Sequence, residues 1–291
     1  MKIVIFTYDR YETISTPLAM SETPFDYLVV CHSEEARLKF IEAGNVRKER
    51  IVISDVPKGL ANNRNWFLEN HLKDGEWCLM LCDDFLKNTC LDDYRDRPKG
   101  FLPFGTENTT YWSRKFRTEI SMFDFVSRCE ETALECERRG ILLGGFAGAD
   151  NPIFRRIKWK TNVLCDGRAL LLKKSKLRFD VNAQMVDDVA FSALNIERAG
   201  GTLVNQWVLP YFSRYTKGSY GSIPERIAQR KSECNYLADR FKGLVKIADK
   251  PGWPFGTHVR IKPMDPMKLS EWKNDQKNRF LYKIKKGRII P

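Results

Sequence analysis

The sequence predicts an α/β fold built on a mostly parallel sheet, and three observations lead there. Four short runs, KIVIFTY (2–8), FDYLVVCH (25–32), RIVISDV (50–56) and EWCLMLCDDF (76–85), have the length and apolar content of buried strands. Their apolar stretches are continuous rather than alternating, as expected of strands covered on both faces. Helix-like segments, SEEARLKFIEAG (33–44) and LANNRNWFLENHLKDG (60–75), separate the later runs. Strand–helix–strand order implies parallel pairing through right-handed crossovers.

Each element has a local reason. The segment 33–44 opens on Ser33 as N-cap, carries acids in its first turn, sets Leu38 and Ile41 on one face and stops at Gly44. The segment 60–75 stops at Gly75 and delivers the chain to the fourth strand. Residues 86–118, which include RPKGFLPFGTENTTYW, mix charge, glycine, proline and aromatics and read as an irregular loop over the strand ends. MFDFVSRCEETALECERRG (122–140) has the period of an amphipathic helix with a glycine stop. Short strands and loops are expected over 141–213, interrupted by a helix at 187–201. Beyond them come a Gly/Ser-rich turn (217–222), a basic helix (224–243), a strand (258–263) and a terminal basic helix (about 268–286).

Composition bounds the function classes. The chain has 291 residues, 43% hydrophobic and 12% aromatic, enough for a sizeable core. It contains no run of about 18 apolar residues, so no membrane span is expected. The N-terminal apolar run is too short for a secretory signal. Eight cysteines without a CxxC pair read as reduced thiols, which suits a cytoplasmic setting. The net charge of +12 is confined to one end: residues 1–213 carry 30 basic and 30 acidic side chains, and residues 214–291 carry 19 and 7. The expected organisation is a catalytic domain over 1–213 and a basic extension over 214–291. That extension is either a solvated tail or a footprint for a polyanion, and interleaved aromatics such as Tyr236, Trp253 and Trp272 favour the footprint.

Two acidic pairs are the candidate chemistry. Asp83 and Asp84 follow the apolar run WCLML directly, and ligands of open α/β sheets bind at the C-terminal ends of strands. Paired carboxylates there either hold a divalent cation or cap a turn. Asp187 and Asp188 open the apolar helix DDVAFSALNIERAGG, where they either complement the helix dipole or perform proton transfer. GGFAGADN (144–151) offers small residues, either for close approach of a ligand or as an ordinary glycine-rich loop.

KGLANNRNWFLENHLKDGEWCLMLCDDF resembles the nucleotide-sugar signature of GT-A glycosyltransferases, in which a Gly-x-x-x-x-Arg-Asn stretch opens a helix and the next strand ends in an acidic motif. FTYDR (6–10) resembles the loop that receives uracil and ribose there, and the 185–201 stretch resembles the acid–Asp motif beside the acceptor. The layout, with YFSRYTKGSYGS (211–222) before a basic helix, is most similar to the TET-associated glycosyltransferases, a largely bacteriophage family with relatives in animals. The resemblance implies a GT-A-like, Rossmann-type sheet with flanking helices and an α-rich C-terminal extension. It implies a metal-dependent hexosyltransferase moving glucose or N-acetylglucosamine from a UDP-sugar to 5-hydroxymethylcytosine in double-stranded DNA, in a host cytoplasm if phage-encoded.

Carried over residue by residue, donor binding falls to Thr7, Tyr8, Arg10, Lys58, Arg64, Asn65, Asp83, Gly144 and Gly145. The Mn²⁺ or Mg²⁺ ion falls to Asp84 and His258, and catalysis to Asp188, with Asp187 orienting it. One departure is Cys82, which stands where many members have a third acid. It keeps open a catalytically degenerate DNA-binding module, as an acceptor other than DNA keeps open a different glycosyltransferase.

Overall fold

A computed structural model of the chain describes residues 1–7, 10–91, 117–146, 158–213, 223–249, 257–262, 264 and 267–275. The first half runs β1 (Lys2–Phe6), α1 (Thr16–Ser21), β2 (Leu28–Cys31), α2 (Glu34–Glu42), β3 (Ile51–Ile53), α3 (Leu60–His71), β4 (Trp77–Cys82) and β5 (Phe85–Leu91). The second runs β6 (Arg117–Ile120), α4 (Met122–Arg138), β7 (Leu143–Phe146), β8 (Trp159–Thr161), β9 (Ala169–Lys173), α5 (Asp187–Arg198), β10 (Leu203–Asn205), β11 (Val208–Phe212), α6 (Ile223–Arg240), β12 (Val245–Asp249) and β13 (Thr257–Ile261). A last helix, α7, covers 267–275.

Eight strands form the main sheet in the order β3-β2-β1-β4-β9-β7-β10-β8. The four strands legible in the sequence, β1 to β4, are mutually parallel, as is the pair β7–β10. Strands β9 and β8 run against their neighbours. The sheet is thus mostly parallel and flanked by helices, as the α/β reading expects, with an antiparallel insertion that the reading lacked.

Alternation along the strands sets the layers. Val4 and Phe6 of β1 and Cys78 and Met80 of β4 face one side, where Phe67 and Leu68 of α3 and Phe191 of α5 cover them. Ile3, Ile5, Leu79 and Leu81 face the other, against Met20 of α1, Phe40 of α2 and Phe125 and Cys129 of α4. Two helical layers therefore sandwich the sheet, and every inward side chain leaves water. The basic C-terminal segment joins the first of these cores: Leu237 of α6, Phe241 just after it, Val259 and Ile261 of β13 and Trp272 of α7 belong to it. Trp272 Nε1 donates to the Lys242 carbonyl at 2.8 Å, which ties α7 to the end of α6.

Some elements differ from the sequence expectation. Within the expected loop of 86–118, residues 86–91 and 117–118 belong instead to β5 and β6, which form a three-stranded antiparallel sheet with β11; residues 92–116 lie outside the described residues. Asn88 and Thr89 fill buried positions of β5, so the segment carries no apolar signal. Ser33 does cap α2, accepting from Ala36 N at 3.1 Å. The buried stripe of that helix is Ala36 and Phe40, however, and Leu38 is 57% exposed. Helix α3 ends at His71 rather than Gly75, because Leu72 turns to extended backbone and buries its side chain. The expected turn at 217–222 and residues 276–286 of the expected terminal helix lie outside the described residues. All eight cysteines are free. Among the described residues no helix is long and apolar enough to cross a membrane.

Candidate active site

The strand order makes one place on the sheet special. From β1 the chain moves outward through β2 and β3, then returns to β4 on the opposite side of β1, so the C-terminal ends of β1 and β4 form a topological switch point. Phe6 lies opposite Cys82, and the residues that follow emerge side by side. Thr7 Oγ1 donates to Asp83 Oδ2 at 2.7 Å. Arg10 Nη1 lies 2.5 Å from Asp83 Oδ1 and 3.0 Å from Asp84 Oδ2, bridging the pair. The turn that carries both acids is held from the start of α1: Ser15 N and Thr16 N donate to the Asp83 carbonyl at 3.0 and 3.2 Å. Burial pushes both carboxyls above the usual range, against the pull of Arg10.

The second acidic pair reaches the same edge from α5. Because β9 is antiparallel to β4, its start lies beside the end of β4, and Cys82 N donates to the Arg168 carbonyl at 2.9 Å. The turn before β9 touches both acids of α5. Gly167 N donates to Asp188 Oδ2 at 3.1 Å, and a β-carbon on Gly167 would stand 2.9 Å from the Asp188 β-carbon. Arg64 joins this turn to Asp187: Nη1 donates to Asp187 Oδ2 and Nη2 to the Gly167 carbonyl, both at 2.5 Å. The Arg64 side chain is 1% exposed and Asp187 7%. The guanidinium lies 5.9 Å from the Phe6 ring centre and 5.1 Å from that of Phe179. Burial raises the pKa of Asp187 against Arg64, and it raises that of Asp188 with the help of the neighbouring Asp166.

Charge is distributed unevenly over these groups. Asp83 and Asp84 share Arg10, Asp187 has Arg64, and Asp166 receives two bonds from Arg168 at 2.8 and 2.6 Å. Among the described residues Asp188 makes no ion pair; its oxygens accept only backbone N–H groups, from Gly167 and from Val189 at 2.8 Å. Burial and Asp166 raise the pKa of Asp188 while the charge of Arg230 pulls it down, and a buried carboxylate oriented by two backbone donors has the properties of a general base.

The other expected site residues are dispersed. Asn65 is engaged by the backbone, donating to the Phe179 carbonyl at 2.9 Å and accepting from Phe179 N at 2.8 Å. Arg64 thus grips the turn before β9 and the start of α5, and Asn65 the chain between them, where the motif resemblance assigns both to a donor. Lys58 is exposed in the loop before α3. Gly144 and Gly145 lie inside β7, and the room they leave is filled by protein rather than kept for a sugar. A β-carbon on Gly144 would be 3.1 Å from Cys136 Sγ, and one on Gly145 would be 2.8 Å from the Cys165 β-carbon. Tyr8 and residues 147–151 lie outside the described residues. His258 sits on β13, where its Nε2 accepts from Arg260 Nε at 2.8 Å.

A divalent metal fits this arrangement poorly. Mg²⁺ calls for about six hard oxygen ligands. Asp83 already gives one oxygen to Arg10 and the other to Thr7, and Asp84 gives one to Arg10. Among the described residues no group of three His, Cys, Asp or Glu side chains could hold a metal. No protein-family model and no curated protein matches the chain.

Sequence reasoning overlooked Asp166, Arg168 and Arg230. CDGR (165–168) precedes the apolar run ALLL, and an Asp-Gly turn at the head of a strand was the available signal. Arg230 and Glu233 of α6 clasp Met185, just ahead of α5: Arg230 Nη1 donates to its carbonyl at 2.9 Å and Glu233 Oε2 accepts from its N at 2.7 Å. The basic helix thereby supports the turn that leads into Asp187 and Asp188.

Proposed function

We propose that the chain is a glycosyltransferase that moves glucose or N-acetylglucosamine from a UDP-sugar to the hydroxyl of 5-hydroxymethylcytosine in double-stranded DNA. What supports this reading is Asp188, which among the described residues makes no ion pair and feels Arg230 only at longer range, on an edge where Asp83, Asp84, Asp166 and Asp187 each pair with an arginine. Asp188 accepts the proton of the acceptor hydroxyl, that oxygen bonds to the anomeric carbon, and the bond from that carbon to UDP breaks. Asp187, held by Arg64, keeps the start of α5 in place beneath it. Thr7, Arg10 and Asp83 at the switch point form the donor side, and the resemblance of FTYDR and LCDDF to uridine-binding and acidic motifs supports that assignment. The +12 charge carried by residues 214–291 supports a DNA acceptor, since phosphate contacts dominate DNA affinity.

The deciding experiment is incubation with UDP-glucose or UDP-N-acetylglucosamine and duplex DNA containing 5-hydroxymethylcytosine, followed by mass analysis of the nucleosides. A hexose-shifted nucleoside with either donor is the expected result. An unchanged nucleoside with both donors would remove the DNA-acceptor reading.

A further inference from the structure

We propose that Arg10 is the resident cation of the Asp83–Asp84 pair, so that the pair works as a salt-bridged clamp without a divalent metal. One guanidinium nitrogen lies between the two carboxylates, 2.5 Å from Asp83 and 3.0 Å from Asp84, where a bridging cation would otherwise stand. The Asp83 and Asp84 side chains are 8% and 12% exposed and Arg10 is 21% exposed, so these charges act on one another with little screening by water. Both oxygens of Asp83 are already engaged, one by Arg10 and one by Thr7, and Asp84 gives Oδ2 to Arg10, so a metal bridging the two acids would have to compete with the guanidinium for them.

The same solution recurs along the edge, where Arg64 neutralises Asp187 and Arg168 neutralises Asp166. A guanidinium suits the task because it stays charged at every working pH and presents a planar fork of donors.

The test is Mn²⁺ titration of chelator-treated protein, with free Mn²⁺ read by electron paramagnetic resonance, for wild type, Arg10→Met and Arg10→Lys. Arg10→Met is expected to bind Mn²⁺ at least about tenfold more tightly than wild type, because it exposes two carboxylates with no counter-charge. Arg10→Lys, which keeps a cation, is expected to resemble wild type. Arg10→Met binding no more tightly than wild type overturns the proposal. Should Arg10→Met fail to fold, the comparison of wild type with Asp84→Asn decides: a Mn²⁺ site in wild type that Asp84→Asn abolishes overturns it, and no such site upholds it. UDP binding is measured in parallel with chelator and with Mn²⁺. Its absence under both conditions counts against the glycosyltransferase reading and leaves the Mn²⁺ result standing on its own.

Discussion

Replacing Arg64 with methionine keeps most of the side-chain volume and removes the charge that Asp187 depends on. Arg64 is almost wholly enclosed and bonds both Asp187 and the Gly167 carbonyl, so the substitution strands a buried carboxylate and a buried acceptor together. Breaking a buried pair from one side costs about 3–5 kcal/mol, most of it the desolvation of the partner left behind. The cost depends on pH with a definite sign. Burial already raises the pKa of Asp187 in the folded protein, so its stabilising share is full below the unfolded carboxylate pKa and is lost as pH rises through the folded value. Without Arg64 the folded value rises further, so the penalty is larger at pH 8 than at pH 5. Urea denaturation of wild type, Arg64→Met, Asp187→Asn and the double variant at both pH values measures this. The double variant, with no charge left to strand, should recover much of the loss. A cost below about 1 kcal/mol at pH 8, or a cost that grows on acidification, would refute the reasoning.

Two further substitutions separate chemistry from packing. Asp188→Asn should lower the rate of sugar transfer by about 10²–10⁴-fold. UDP affinity should stay within about threefold of wild type in isothermal titration, because the proposed reaction puts Asp188 on the acceptor side; a matching fall in UDP binding would assign the residue to the donor instead. Gly145→Ala should destabilise by about 1–3 kcal/mol, because the new methyl group meets the Cys165 β-carbon at 2.8 Å and its α-carbon at 3.1 Å. Unchanged stability in urea would mean that β7 has slack, and would revive a ligand-facing role for that glycine.

How much of this was legible follows from the range of the interactions. Strands β1 to β4 could be read because a buried parallel strand announces itself in about six consecutive residues. The cap at Ser33 and the helix after Ser121 could be read for the same reason, since the bonds that start a helix join residues three apart. Strand β5 could not be read because Asn88 and Thr89 occupy inward positions that a sequence pattern expects to be apolar. Gly144 and Gly145 looked like room for a ligand because a glycine records only that something is close; the neighbour turned out to be the protein itself.

Arg64 is the sharpest case. Its position in a Gly-x-x-x-x-Arg-Asn stretch points to a donor, and its alternative reading is a charge in solvent. The geometry is neither, because its partner Asp187 is 123 residues away and the antiparallel insertion of β9 brings the 166–168 turn against the same guanidinium. The two acidic pairs, read separately as a donor motif and an acceptor motif, are therefore joined: β4 holds the Arg168 carbonyl, the 166–168 turn orients Asp188, and α3 fixes that turn and Asp187 through Arg64. The strand end that carries Asp83 and Asp84 is thereby linked to Asp188 through two hydrogen bonds, from Cys82 N to the Arg168 carbonyl and from Gly167 N to Asp188 Oδ2.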